Sequence, residues 1–205
     1  MAGDGENGGR PRLADLREVD AVYGPAEDSR LLVETAMGYL GGDELVLDVG
    51  TGSGYVGGRI ADETGATVVG SDLNPHACRA AADAGLAAVR AHLLDPFRDD
   101  AFDAVVFNPP YLPTPPDREW DDWMERALSG GESGRAVIEP FLADLRRVLT
   151  DDGDGFLLLS SLTGVDAVRD HARAHGLTTM VAAEEAHPAE KLVVLQLVPS
   201  RGNNS

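Results

Sequence analysis

Cysteine and lysine are almost absent from this chain of 205 residues, which has one of each, Cys78 and Lys191. A single cysteine excludes an intrachain disulfide and a zinc site built from several thiolates, and we expect no metal centre. No apolar run is long enough to span a bilayer, and the first twelve residues, MAGDGENGGRPR, lack the apolar core of a signal peptide. The sequence therefore predicts a soluble cytoplasmic protein.

Positive charge is also scarce, since 17 basic residues face 35 acidic ones and the formal net charge is −18. The acid is spread along the whole chain rather than gathered in one block. This pattern favours a protein adapted to molar salt, where the screening length falls to about 3 Å, and hence a halophilic source. An acidic face for a basic partner is the alternative. A large basic footprint is missing, so direct nucleic-acid binding is not expected.

The length suits one compact α/β domain, which we place at residues 13–199 between a flexible extension at 1–12 and a flexible tail at 200–205. Short apolar runs alternate with helical stretches, a pattern typical of βαβ units over a largely parallel sheet. Strands are predicted at 44–49, 67–71, 87–91, 102–107, 155–160, 178–183 and 191–198, and helices at 27–40, 54–64, 75–85, 135–149 and 163–175. The pattern predicts a doubly wound, seven-stranded, Rossmann-like sheet, mostly parallel with an antiparallel terminal hairpin.

A glycine-rich run at 47–55, LDVGTGSGY, ends the first predicted strand and opens a helix. Gly50 and Gly52 let the backbone approach a ligand without a Cβ clash, and the helix N-terminus presents free N–H groups. The stretch 52–57 also fits G-x-G-x-x-G, so a nicotinamide dehydrogenase has to be considered. A tight strand–helix turn with capping acids is the structural alternative.

Two carboxylates flank this loop and favour a different cofactor. Asp48, at the end of the first strand, would repel a pyrophosphate but would suit a cationic amino-acid group. Asp72 ends the next strand and is placed to accept hydrogen bonds from both hydroxyls of a ribose. Dinucleotide sites share that second acid, so it indicates an adenosine-type ligand without choosing between the cofactors.

The motif Asn108-Pro109-Pro110-Tyr111 follows the predicted strand 102–107, at the carboxyl edge where open α/β sheets bind ligands. Two prolines hold the backbone extended and remove two N–H donors. The side-chain oxygen of Asn108 and the carbonyl of Pro109 remain as acceptors for the two hydrogens of one NH2 group. Tyr111 offers a ring face to a flat amide or base. The motif predicts transfer to a planar NH2 nitrogen, although a proline-rich turn would explain the prolines alone.

Together these motifs resemble the HemK-type glutamine methyltransferases, above all the archaeal and eukaryotic branch that modifies the class I translation release factor. The matching stretches are 22–29 (VYGPAEDS), 47–56 (LDVGTGSGYV), 71–75 (SDLNP), 108–114 (NPPYLPT) and 128–135 (LSGGESGR). The resemblance implies a Rossmann-like methyltransferase fold, S-adenosylmethionine as cofactor and the glutamine amide of a Gly-Gly-Gln loop as substrate.

The resemblance also implies roles for individual residues. Carried onto this sequence, it puts Ser29 at the amino-acid end of the cofactor, Asp48 and Gly50 along its methionine half, Asp72 at the ribose, Leu93 against the adenine and Asn108 at the transfer centre. The family usually has an aspartate before Leu93, where a carboxylate accepts from the adenine amine. Here that residue is His92, whose neutral imidazole can still accept one hydrogen bond.

A partner is implied as well, namely a small zinc-binding activator protein that adds a strand beside the third strand of the sheet. In this chain that strand would be 87–91, AAVRA. A nearly uncharged edge strand is an aggregation hazard when it is left uncovered, so a stable partner is physically reasonable. A short edge strand tolerated without cover is the alternative.

Two other functions stay open. A nucleic-acid methyltransferase acting on adenine N6 or guanine N2 would hold an exocyclic amine in the same corner, although the acidic charge weighs against it. A Rossmann-like platform that only stabilises a partner would show no turnover.

Overall fold

The computed structural model describes residues 27–111 and 130–200. In this part of the chain seven strands form one sheet in the order β3-β2-β1-β4-β5-β7-β6. The strands are β1 (Leu45–Val49), β2 (Thr67–Asp72), β3 (Ala87–Arg90), β4 (Phe102–Phe107), β5 (Leu149–Ser160), β6 (Leu177–Ala186) and β7 (Lys191–Pro199). Neighbours are parallel from β3 to β5, whereas β7 runs antiparallel to both β5 and β6. The predicted fold class is confirmed.

Within the described residues, one helix precedes β1, and four helices and one 3-10 turn lie between the strands. They are α1 (Glu27–Met37), α2 (Tyr55–Thr64), α3 (Pro75–Asp83), α4 (Ile138–Val148), the 3-10 turn Ser161–Thr163 and α5 (Val165–Ala174). No helix within 27–111 and 130–200 is both long enough and apolar enough to cross a bilayer. The predicted flexible segments, all of 1–12 and 201–205 of the tail, lie outside the described residues.

The predicted elements agree with the observed ones except at a few ends. The first helix ends at Met37 instead of 40, because Gly38 and Tyr39 donate to carbonyls three residues back. β5 begins at Leu149, which pairs with Phe102 before the register shifts. β6 runs on to Ala186 because its antiparallel pairing with β7 continues to that residue. Each difference arises from pairing or turn geometry that the apolar pattern does not encode.

Both faces of the sheet are covered by helices, which is why its inner strands are apolar nearly throughout. Successive residues of β1 point to opposite faces. Val46 packs in the layer formed with α1, α2 and α3, and Leu47 packs in the layer formed with α4 and α5.

The carboxyl ends of β1, β2 and β4 meet at one edge of the sheet. The strand order reverses between β1 and β4, since the chain moves outward to β3 and then returns to the other side of β1. Ligands of open α/β sheets bind at such a switch point. Asp48, Asp72 and Asn108 all lie at this edge, as predicted.

Candidate active site

The carboxylate of Asp48 holds the glycine loop between β1 and α2 by hydrogen bonds. Its Oδ2 atom accepts hydrogen bonds from the Thr51 hydroxyl at 2.7 Å and from the Gly57 N–H at 3.0 Å. Burial raises the pKa of Asp48 to about 7, the bonds from Thr51 and Gly57 oppose that rise, and the negative charge of Asp72 adds to it. Asp48 therefore shapes the loop and is balanced between its charged and neutral forms near neutral pH.

Gly50 and Gly52 adopt φ values of +63° and +55°. This left-handed region favours glycine, because a Cβ atom would clash with the local backbone. A Cβ on Gly50 would also lie 3.3 Å from the ring of Phe107. The loop is thus pressed against the end of β4, immediately before Asn108.

Asp72 holds the same loop from β2. Its Oδ2 accepts from the Gly52 N–H at 3.1 Å, and its Oδ1 accepts from the Asn74 N–H at 2.8 Å. The pKa of Asp72 is raised, chiefly by burial and against the effect of these backbone bonds. Each carboxylate oxygen has a second lone pair, so Asp72 can accept further hydrogen bonds.

Asn108 contacts Ser29, which lies 79 positions earlier in the chain. The Asn108 Nδ2 atom donates to the Ser29 hydroxyl oxygen at 3.2 Å, and Ser29 is buried in α1. Because the amide nitrogen points to Ser29, the amide oxygen is the atom of this side chain that can accept from a ligand. The structure therefore brings together two predicted site residues, Ser29 of α1 and Asn108, which directly follows β4.

Tyr111 is held by a hydrogen bond from its hydroxyl and by the packing of its ring. Its hydroxyl donates to Asp28 Oδ2 at 2.8 Å, while Asp28 Oδ1 accepts the Ser29 N–H at 2.7 Å. The ring packs against both core layers. Asp28 was not among the predicted site residues, since an acid at a helix start is usually read as a cap.

A second group of contacts, which was also not predicted, joins the 108–111 motif to the segments that follow residue 129 and β5. The Thr163 hydroxyl donates to the Tyr111 carbonyl oxygen at 3.3 Å, and Arg135 Nη1 donates to the Thr163 carbonyl oxygen at 2.8 Å. A Cβ on Gly130 would lie 2.8 Å from the Pro110 carbonyl oxygen. The glycine-rich turn after 129 therefore packs directly on the two-proline motif.

The predicted adenine segment follows β3. The Ala91 N–H donates to the Asp72 carbonyl oxygen at 3.0 Å, which joins this segment to the end of β2. Leu93 is half-buried against the core and has a φ of +46°, and His92 is exposed. The His92 Nδ1 atom lies 3.1 Å from Asp95 Oδ2. The chain here is ordered by local contacts and by its bond to β2.

Comparison with known proteins is consistent with this geometry. Residues 46–131 match a family described as a methyltransferase domain. The chain is 34% identical over 179 residues to a Methanocaldococcus jannaschii protein, MJ0928, provisionally named as a protein N5-glutamine methyltransferase. That match covers 85% of this chain and 90% of the relative. The human methyltransferase HEMK2 is 30% identical over 194 residues, 87% of this chain and 90% of the relative. The chain belongs to the HemK-type methyltransferase family.

A solved structure supports the same assignment. A chain of the E. cuniculi Mtq2–Trm112 complex matches this HemK-type methyltransferase with a TM-score of 0.73 and 29% identity. The match covers 88% of this chain and 99% of the other. That complex is described as responsible for methylation of the eRF1 translation termination factor.

As a HemK-type methyltransferase, the protein uses S-adenosylmethionine as its cofactor, and the residues present fit that molecule. Asp48 offers a buried carboxylate to a cationic amino group, and Asp72 has lone pairs to spare for ribose hydroxyls. Gly50 and Gly52 leave the loop backbone open to close approach. Within the described ranges, no group of three or more His, Cys, Asp or Glu side chains could hold a metal ion.

Proposed function

We propose that this methyltransferase transfers a methyl group from S-adenosylmethionine to the side-chain amide nitrogen, N5, of the glutamine in the Gly-Gly-Gln loop of the class I release factor. The observation that carries the proposal is the Asn108 amide, held at its nitrogen by Ser29 with its oxygen left as an acceptor. The names of the relatives support glutamine as the residue modified. The E. cuniculi complex, described as acting on eRF1, supports a release factor as the substrate.

The chemistry follows from the electronic structure of an amide. The lone pair of an amide nitrogen is delocalised, so the group is a poor nucleophile. Two acceptors, the Asn108 side-chain oxygen and the Pro109 carbonyl, would bind both hydrogens and favour a pyramidal nitrogen. When bound, the cofactor supplies an electrophilic sulfonium methyl group. The nitrogen loses a proton after transfer, so positioning and electrostatics carry the rate and no strong base is required.

The charge of the chain favours a protein substrate over a nucleic acid. At low salt a formal net charge of −18 would repel a phosphate backbone and attract a basic protein surface, whereas concentrated salt screens both effects. The spread of that charge also supports the proposal that the enzyme works in concentrated salt, where phosphate contacts are weak. Translation termination takes place in the cytoplasm, and we propose that location for this enzyme.

We further propose that the enzyme forms a heterodimer with a small zinc-binding activator through β3. Within the described residues, β3 lies at the edge of the sheet and pairs only with β2. The Val89 side chain on β3 is 38% exposed, and Leu73 in the adjoining turn is exposed as well. Arg90 Nε donates to the Leu73 carbonyl oxygen at 3.1 Å, which holds that turn against the edge. An added strand would pair with the open edge of β3 and cover both apolar side chains.

Mass spectrometry of the release factor tests the proposed activity. The full chain is incubated with its activator, S-adenosylmethionine and the release factor, and peptides covering the Gly-Gly-Gln loop are analysed. We expect one added methyl group on the glutamine and none on a release factor in which that glutamine is replaced by asparagine. Transfer of labelled methyl to duplex DNA or to RNA, with an unmodified release factor, would contradict the proposal and favour a nucleic-acid amine.

A further inference from the structure

The 3-10 turn that follows β5 carries an exposed leucine close to the two-proline motif. Leu162 lies at the centre of the 3-10 turn Ser161–Thr163 and is 57% exposed. Ser161 is exposed as well, whereas Ser160 and Thr163 on either side of this pair are fully buried. An exposed leucine is ordinary on a protein surface. Leu162 differs from an ordinary surface leucine because its turn is held by hydrogen bonds and is bonded to the two-proline motif.

Leu162 is held by a hydrogen-bonded frame. Its own N–H donates to the Ser160 hydroxyl oxygen at 3.1 Å, and the Lys191 N–H donates to the Ser161 hydroxyl oxygen at 3.0 Å. Gly164 closes the turn with a φ of +82°. The backbone beneath Leu162 is therefore fixed both within the turn and to the start of β7.

The same frame is bonded to the proposed transfer site. Thr163, the next residue, donates through its hydroxyl to the Tyr111 carbonyl oxygen at 3.3 Å. The Thr163 carbonyl in turn accepts from Arg135 at 2.8 Å. The turn lies at the same carboxyl edge of the sheet as Asn108. Phe107 at the end of β4 pairs with Leu157, and the parallel strand β5 continues to Ser160. Leu162 thus stands just beyond the carboxyl edge, one residue from a direct contact with Tyr111.

We propose that Leu162 is a substrate-positioning residue that packs against the peptide next to the glutamine being methylated. The inference rests on the proposed function. A glycine pair before the glutamine has no side chains, so its main chain can approach an apolar side chain closely. Because the backbone beneath Leu162 is already fixed, only the side chain has to be ordered on contact, which keeps the ordering cost small. Leu162 would therefore lower the KM for the protein substrate without taking part in methyl transfer.

Variants at Leu162 separate this role from a structural one. Leu162→Asp and Leu162→Ala are compared with Met180→Asp and Met180→Ala in the complete enzyme–activator complex. Met180 is a matched control, because it is 53% exposed and lies on β6, three strands away from β4. We expect Leu162→Asp to raise the KM for the release factor roughly 10-fold or more, the scale of losing one well-packed contact. Leu162→Ala should raise the KM by a smaller factor, and Leu162→Met should retain the wild-type KM.

Two further readings make the outcome decisive. The affinity for S-adenosylmethionine and the kcat should both stay within about threefold of wild type, because Leu162 is proposed to contact neither the cofactor nor the reacting atoms. If Leu162→Asp does not fold, Leu162→Ala and Leu162→Met carry the test. Wild-type KM in both Leu162→Asp and Leu162→Ala, or in Leu162→Ala alone if Leu162→Asp does not fold, on a release factor that the wild-type enzyme methylates, would overturn this inference alone. A wild-type enzyme that leaves the release factor unmodified would overturn the proposed function and this inference with it.

Discussion

Ser29 and Asn108 share one hydrogen bond, in which Asn108 Nδ2 donates to Ser29 Oγ at 3.2 Å across 79 positions of sequence. The bond fixes which end of the Asn108 amide faces Ser29 and hence which end faces the substrate. Asp28 extends the arrangement, because it accepts from the Ser29 N–H and from the Tyr111 hydroxyl. Helix α1 is therefore a structural support for the motif at the end of β4, in addition to its predicted contact with the cofactor.

This relationship predicts a non-additive effect on turnover. Asn108→Ala removes an acceptor for the substrate NH2 group, and we expect kcat to fall about 100-fold or more, the scale of losing one oriented electrostatic contact. Ser29→Ala frees the Asn108 amide to rotate and should lower kcat by a smaller factor. In the double variant, Ser29→Ala should add little to the loss from Asn108→Ala, because the group that it orients is gone. Fully multiplicative losses in kcat would mean that the two residues act separately.

Asp72 gives a prediction for cofactor affinity. Removing its carboxylate would leave the ribose hydroxyls without their acceptor and would release the Gly52 and Asn74 N–H groups. We expect Asp72→Ala to weaken S-adenosylmethionine binding by about 2–3 kcal/mol, the scale of charge-assisted hydrogen bonds. Titration calorimetry measures this directly, with Asp62→Ala on the adjoining helix as the control. Unchanged affinity in Asp72→Ala would refute the ribose assignment.

Asp48 predicts a pH dependence of stability. Its pKa is about 7 in the folded protein against an ordinary value of 3.8 for an aspartate, because burial disfavours the charged carboxylate. Between these two values the folded state binds more protons than the unfolded state. The free energy of unfolding of the cofactor-free protein should therefore be highest below the unfolded pKa and fall as pH rises towards 7, by about 1.4 kcal/mol per pH unit from this group.

Denaturant unfolding of wild type and Asp48→Asn between pH 5 and 8 checks the sign. The asparagine does not titrate, so the difference between the two proteins isolates Asp48 from the other carboxylates. We expect the free energy of unfolding of the wild type to decline relative to that of the variant up to about pH 7 and then to run parallel to it. Parallel curves throughout would show that Asp48 titrates normally. S-adenosylmethionine should bind the wild type more tightly at pH 7 than at pH 6, because more of Asp48 is ionised while the amino group of the cofactor stays cationic.

The sequence predicted those parts of the site that depend on where strands end. Asp48, Asp72 and Asn108 follow apolar runs, and the carboxyl ends of parallel strands meet at one edge, so their proximity follows from the pattern. Asp28 and Thr163 could not be found in that way. Their contacts with Tyr111 span 83 and 52 positions, and each depends on how a loop folds back over the sheet. Local composition marks both residues only as helix or turn caps.

The resemblance to the HemK-type family puts His92 where an aspartate is usual, and the contact of His92 with Asp95 indicates which ring nitrogen would accept from the adenine. The Nδ1 atom lies 3.1 Å from Asp95 Oδ2, which favours the tautomer that donates from Nδ1 and leaves Nε2 as an acceptor. We expect His92→Ala to weaken S-adenosylmethionine binding by about 1 kcal/mol, the value of one ordinary hydrogen bond, and His92→Asp to retain wild-type affinity. Loss of affinity in His92→Asp equal to that in His92→Ala would show that the residue does not accept from the adenine.

The edge strand β3 gives the prediction that tests the heterodimer. Val89→Glu places a carboxylate where we propose that the activator covers an apolar surface, and burying an unpaired charge is strongly unfavourable. We expect the variant to fold as the wild type does but to lose stable association with the activator in size-exclusion chromatography. Val181→Glu is the matched control, because Val181 is 45% exposed and lies on β6, the opposite edge strand of the described sheet. Zinc should elute with the activator, and with this chain only while the two are associated. Equal activator binding by wild type and Val89→Glu, with full activity in both, would show that β3 is not the interface.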